Sequence, residues 1–130
     1  MTGILDRAWI VLGALAGLTG VAMAAVAAHG LSRLDPAALE MVRSGIEMQL
    51  WHAPALVLAG VWAARGGVMA HLSGGAFALG TLLFCGSVYS LGLRGVSLGL
   101  LAPTGGILLM AGWALLGLSA VRPRPVRNGG

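Results

Sequence analysis

The sequence predicts an all-α integral membrane protein, a bundle of four hydrophobic helices with a short amphipathic helix between the first and second spans. Three observations predict it. Of 130 residues, 58% are apolar and 9% charged, with a mean hydropathy of +0.91. A soluble domain of ordinary composition is about half apolar and about a quarter charged, so these charges are too few to coat a wet surface. Ionised side chains are absent from four long intervals: 8–32, 48–64, 66–93 and 95–121. Continuous apolar runs such as Trp9–Leu15 and Gly106–Met110 lack the dyad alternation of a membrane barrel strand.

A helix needs about 20 residues to cross a hydrocarbon core, and roughly 17 is the lower limit. Backbone polar groups in lipid must pair within the segment, so each interval is read as a helix. The expected spans are about 8–28, 47–64, 74–93 and 97–121 within a single membrane domain of residues 1–130. The first run contains Ala25-Val26-Ala27, which resembles a signal-peptidase site, but its apolar stretch exceeds a usual signal core. It is read as a retained helix.

Between the first two spans lies the one substantial polar segment. His29-Gly30 reads as a glycine stop, and Asp35-Pro36 as an N-cap with proline at the first helical position. From there Leu39, Val42, Ile46 and Leu50 fall on one side, and Glu40, Arg43 and Glu47 on the other. Glu40–Arg43 and Arg43–Glu47 are spaced to pair. Pro54 removes the hydrogen bond to the Leu50 carbonyl and predicts a kink in the second span. Pro103 does the same early in the fourth. The tail 122–130, with Arg122-Pro123-Arg124-Pro125, ends the last helix and is expected to be disordered.

Four spans put both termini on one side, with Arg7, Arg65, Arg122, Arg124 and Arg127 there and Arg33, Arg43 and Arg94 opposite. The positive-inside rule then places both termini in the cytoplasm, as expected for a multi-pass protein of a bacterial inner membrane. The net charge of +4 rests on arginines scattered singly between apolar segments, with only Arg122, Arg124 and Arg127 close together, which argues against a nucleic-acid partner. Cys85, the single cysteine, sits in an apolar run and reads as a buried thiol. Helix contact in lipid relies on small residues, and the candidates among 22 glycines are Gly13, Gly17, Gly86, Gly105, Gly106 and Gly112. Trp9, Trp51, Trp62 and Trp113 read mostly as interfacial anchors.

Few polar residues remain within or beside the spans, and the candidate cluster is His29, Gln49, His52, Ser87 and Tyr89. Polar groups at membrane depth are functional hypotheses by default. Gln49 and His52 are three apart, so they share a helix side, and His29 ends the first helix on the same membrane side. Three readings stay open: a structural hydrogen-bond cluster, a metal site built on imidazole, and a proton path. Two histidines without a cysteine or carboxylate beside them make an incomplete metal set, so no metal or cofactor is expected. His71 is expected to be solvated in the second loop.

These residues also carry a family resemblance. Ala28-His29-Gly30-Leu31, Gln49-x-x-His52-Ala53 with Leu56, Phe84-Cys85-Gly86-Ser87-Val88-Tyr89, and Pro103-Thr104-Gly105-Gly106 with Gly112-Trp113 occur in order along nearly the whole chain. In these motifs the chain resembles the YgdD-like family of small bacterial inner-membrane proteins with eukaryotic relatives. Met48, Pro54 and Cys85 depart from the aromatic, alanine and serine more usual there. The resemblance implies a four-span membrane protein without an assigned activity. No hydrolase elbow, phosphate loop, zinc motif or carboxylate pair is present, so an enzyme is not expected. The expected role is structural or interactive, as an accessory subunit of a larger membrane complex, with the bilayer and that complex or a homo-oligomer as partners. The alternative is an oligomeric small transporter or channel using His29, Gln49 and His52.

Overall fold

The computed structural model describes residues 3–122 and is all-helical, with three helices. α1 spans Ile4–His29, α2 spans Pro36–Arg94 and α3 spans Leu101–Val121. All three are long and apolar enough to cross a membrane. The tail beyond Arg122 lies outside the described residues, as does the expectation of its disorder.

Local chemistry fixes the ends. Gly3 caps α1, and the Asp6 carboxylate accepts the Gly3 N–H at 2.8 Å, satisfying one of the donors a helix start leaves open. Asp35 caps α2 by accepting the Ala38 N–H at 2.9 Å, with Pro36 following where no N–H is needed. Gly95 ends α2 in the left-handed region, φ 67°, with its N–H on the Leu91 carbonyl at 3.0 Å.

Two expectations need correction. The amphipathic segment is not a separate helix: it forms the first turns of α2, because Asp35 and Pro36 start a helix that nothing afterwards stops. The expected second and third spans, and the loop between them, are likewise parts of this one 59-residue element rather than separate helices. Pro54 leaves the helical dihedrals intact, and α2 departs from them at Gly67, where φ is 59° and ψ is −143°. That conformation is open to glycine and strained for other residues. The expected Glu40–Arg43 and Arg43–Glu47 pairs are not formed either: all three side chains are exposed, where an ion pair gains little over hydration.

A straight helix of 59 residues would be roughly 90 Å long, about three times a hydrocarbon core. The bend folds α2 back on itself into two antiparallel arms, 36–66 and 68–94. Gly45 lies against the Tyr89 ring, Gly92 against Val42, and the Cys85 thiol donates to the Gly45 carbonyl at 3.3 Å. The pairs Gly45–Tyr89 and Val42–Gly92 are symmetric about Gly67 in sequence. α1 and α3 each pack on α2 and, among the described residues, not on each other.

Glycine sets how closely these helices approach. A Cβ on Gly13 would stand 2.7 Å from the Ala53 carbonyl, on Gly60 2.6 Å from that of Asp6, and on Gly105 2.5 Å from the Phe84 nitrogen. Gly112 lies under the Phe77 ring, at 2.7 Å by the same construction. Of the six glycines expected at helix contacts, Gly13, Gly105 and Gly112 are therefore true close approaches. Gly17 makes ordinary contact with Ala53, Gly106 barely reaches Phe84, and Gly86 faces open space. Spacing identified small residues but not which way they turn.

The core lies between the arms of α2 and α3, around Ala55, Leu56, Ala59, Phe77 and Leu109. Large apolar side chains such as Leu18, Leu82, Ile107 and Met110 point outward along the helices. Such an outer face fits a lipid surround. Gly105→Ala should lower stability in detergent or nanodiscs by about 1–3 kcal/mol, since backbone stands in the way. Gly117→Ala, with nothing within 4 Å of the added carbon, should be neutral or stabilising by about 0.5–1 kcal/mol. Equal thermal unfolding midpoints for the two variants would contradict the packing described.

Candidate functional site

The polar interior forms three separate clusters. The first is centred on Gln49, in the first arm of α2. Its amide nitrogen donates to the Ala16 carbonyl at 2.9 Å and to the Thr19 hydroxyl at 2.7 Å, both on α1. Its amide oxygen accepts the Tyr89 hydroxyl at 2.8 Å from the second arm. One buried side chain thereby ties α1 to both arms of α2. The hydrogens run in one direction: Tyr89 to Gln49, Gln49 to Thr19, and Thr19 to the Leu15 carbonyl at 2.8 Å. A chain that ends on a backbone carbonyl holds helices together and offers a proton no onward acceptor.

The second cluster is centred on His52, one turn along. Its Nδ1 lies 2.7 Å from the Met48 carbonyl, so this nitrogen carries the hydrogen. Its Nε2 accepts the Trp113 indole N–H at 3.1 Å, from α3. The Phe77 ring stands 5.8 Å from the imidazole, and Phe77 and Trp113 meet edge to face at 5.1 Å. Both ring nitrogens are committed, which leaves no lone pair for a metal unless the Trp113 bond breaks. Among the described residues no three His, Cys, Asp or Glu side chains gather as a metal set.

The third cluster escaped the sequence reading. Asp6, buried at the start of α1, places one carboxylate oxygen 3.5 Å from His71 Nε2. His71 Nδ1 accepts the Trp9 indole N–H at 3.1 Å, and the Trp9 ring covers Gly74. His71 is thus a helical, partly buried residue and not a solvated loop residue. The expected loop does not exist, because Gly67 alone makes the reversal and the helix resumes at once. The available signal was an acid three residues ahead of a tryptophan, on one helix face, with a lone histidine elsewhere in an apolar run.

Of the five residues expected to cluster, Gln49 and Tyr89 meet, and His52 belongs to a neighbouring cluster. His29 is exposed at the end of α1. Gly20 of α1 lies level with Leu50 and Gln49, and His29 lies beyond Gly20 while His52 lies the opposite way. The two histidines are therefore roughly 17 Å apart along the helix axes, at 1.5 Å per residue. The antiparallel register separates what sequence order brought near. Ser87 is buried, and its hydroxyl has no partner.

Three of the four tryptophans also turn their N–H inward onto a side chain of the bundle. Besides Trp9 and Trp113, Trp62 donates to Ser119 at 3.0 Å, while Trp51 is 65% exposed. Ser73 completes the ties to α3, donating to the Gly112 carbonyl at 2.8 Å. Hydrogen bonds between membrane helices are each worth about 0.6 kcal/mol, rising to about 1.7. Gln49→Leu and Tyr89→Phe should each destabilise by about 1 kcal/mol, and the double variant by clearly less than the sum. Strict additivity in that cycle would mean the Tyr89–Gln49 bond contributes nothing.

Comparison with known proteins finds relatives described as membrane proteins. Residues 23–106 match the family described as "Protein of unknown function (DUF423)". The chain is 37% identical over 121 residues to the UPF0382 inner membrane protein YgdD of Escherichia coli, covering 90% of this chain and 92% of that protein. It is 35% identical over 118 residues to a UPF0382 membrane protein of Haemophilus influenzae, covering 89% and 95%. A UPF0382 membrane protein of Staphylococcus haemolyticus is 31% identical over 118 residues, covering 89% and 97%. No solved structure matches the chain. On this evidence the chain belongs to the YgdD-like family, the proteins of unknown function described as DUF423.

Proposed function

We propose that this chain crosses the bacterial inner membrane four times, with both termini in the cytoplasm, and serves without enzymatic activity as a small accessory subunit of a larger membrane complex. The four crossings rest on α2: each arm, 36–66 and 68–94, exceeds the roughly 20 residues a crossing needs, and the arms run antiparallel from Gly67. The inner membrane is taken from the printed name of the Escherichia coli relative. The orientation follows from Arg7, Arg65 and Arg122 lying at one end of the bundle and Arg33, Arg43 and Arg94 at the other.

One observation carries the accessory reading. Gln49 and His52, polar side chains at the centre of the bundle, reach neighbouring helices: Gln49 donates to α1 and accepts from Tyr89 of the second arm, and His52 accepts from Trp113 of α3 while its own hydrogen stays on Met48. They act as cross-links, and the bundle has its outward apolar faces left for contact with lipid or another protein. An oligomeric transporter or channel draws less support, because its three expected polar residues do not form one route. Extraction from native membranes into lipid nanodiscs, followed by mass spectrometry of everything retained, tests the proposal. A large integral partner in stoichiometric amount is the expected result. Recovery of the chain alone, as a stable monomer, would contradict it.

A further inference from the structure

The cluster of Asp6, Trp9 and His71 holds one proton fewer than it has room for, and its two contacts respond to that proton in opposite senses. Trp9 offers His71 an indole N–H, and an indole nitrogen can only donate. His71 Nδ1 is therefore a bare acceptor, and in the neutral ring the hydrogen sits on Nε2, facing Asp6 Oδ1. The contacts are unequal. The Trp9 bond is 3.1 Å, within the usual range, whereas 3.5 Å to Asp6 is long for a hydrogen bond. While His71 is neutral, Trp9 is its closer partner.

A second proton on the ring reverses that order. Imidazolium carries a hydrogen on each nitrogen and has no acceptor, so the Trp9 N–H would then face another N–H at 3.1 Å. The same charge draws Nε2 toward Asp6 Oδ1, while Oδ2 keeps the Gly3 N–H. Histidine is the side chain that ordinarily changes its charge between about pH 5 and 8. Protons reach this one, for its side chain is 29% exposed, one turn from the reversal at Gly67.

The charged neighbours at this end are few. α1 brings Asp6 and, next to it, Arg7. The first arm brings Arg65, whose guanidinium stands 6.0 Å over the Trp62 ring. The second arm carries no other charged residue before Arg94, and α3 carries none, with Arg122 just past its end. Among the described residues, Asp6 is the one carboxylate within 4.0 Å of His71.

We infer that His71 is a proton-operated latch on the start of α1. The neutral imidazole holds the Trp9 N–H and keeps the indole seated over Gly74 of the second arm. Gain of a proton expels the Trp9 N–H, moves the His71 ring onto Asp6 and leaves the indole without an acceptor, so that it turns out of its seat. The bond is present above the titration and lost below it. His52 is the contrasting case: it accepts the Trp113 N–H at the same 3.1 Å, but it is buried and has no carboxylate beside it. A charge there would be uncompensated at membrane depth, and its bond holds. The latch rests on this geometry and not on the accessory-subunit reading.

The test uses the full chain in lipid nanodiscs, with isotope-labelled tryptophan and the four indole N–H resonances assigned by single Trp→Phe variants. Between about pH 8 and about pH 5 the Trp9 resonance should move upfield in one step, and that of Trp113 should stay. Broadening of Trp9 by a soluble paramagnetic agent should rise roughly threefold or more at the acid end, the factor one such bond contributes. His71→Gln, which can still accept from Trp9 but cannot gain a proton, should abolish the step. The parent titration decides the matter even where that variant folds poorly, because Trp113 serves as its internal reference. A Trp9 resonance unchanged across this range, or one that moves together with Trp113, would overturn the inference. So would a step that survives in His71→Gln.

Discussion

A hydrocarbon surround offers no hydrogen-bond partner, and the rest of this structure follows from that constraint. Every polar group placed at depth must find its partner inside the chain. Burial of apolar surface, the main drive in water, gives little here, because lipid is as apolar as leucine. What remains is close contact and internal hydrogen bonding. The chain uses both at the same places: Gly13 and Gly20 bring α1 near enough to α2 for Gln49 to reach Ala16 and Thr19. Likewise Gly112, seated beneath Phe77, brings α3 close enough for Ser73 to reach its carbonyl and for Trp113 to reach His52.

The arms of α2 form the centre of the assembly and α1 and α3 its flanks. Gln49, His52 and His71 each lie on α2: Gln49 and His71 reach α1, and His52 reaches α3. Losing any one leaves its partners unpaired, which costs more than the bond alone contributed. Among the described residues, the buried Thr81 and Ser87 hydroxyls escape this accounting.

Much of the fold was legible in the residues. Hydropathy foretold an all-helical chain of apolar helices long enough to cross a membrane, though not their number, and Asp35-Pro36 foretold the start of α2. Gln49 and Tyr89 stood out as polar groups in apolar surroundings, and they do meet. The reversal was harder. Gly66 and Gly67 beside Arg65 read as the edge of a loop, whereas one glycine in an unusual conformation turns the chain and lets His71 remain helical. Register was not legible either, since nothing in the spacing of His29 and His52 says that antiparallel packing carries them apart. Rotation about a helix axis decided the rest: Gly86 and Gly105 look alike in sequence, and one faces open space while the other touches backbone.

The central claim is that α2 folds back at Gly67, so that residues far apart in sequence become neighbours. Spin labels at Ser44→Cys and Ser90→Cys, with Cys85 replaced by alanine, would measure this in lipid nanodiscs. The account predicts a label separation of roughly 20 Å or less, given packed helix axes about 8–10 Å apart. A separation of roughly 70 Å, the length of unbroken helix between the two positions, would contradict it.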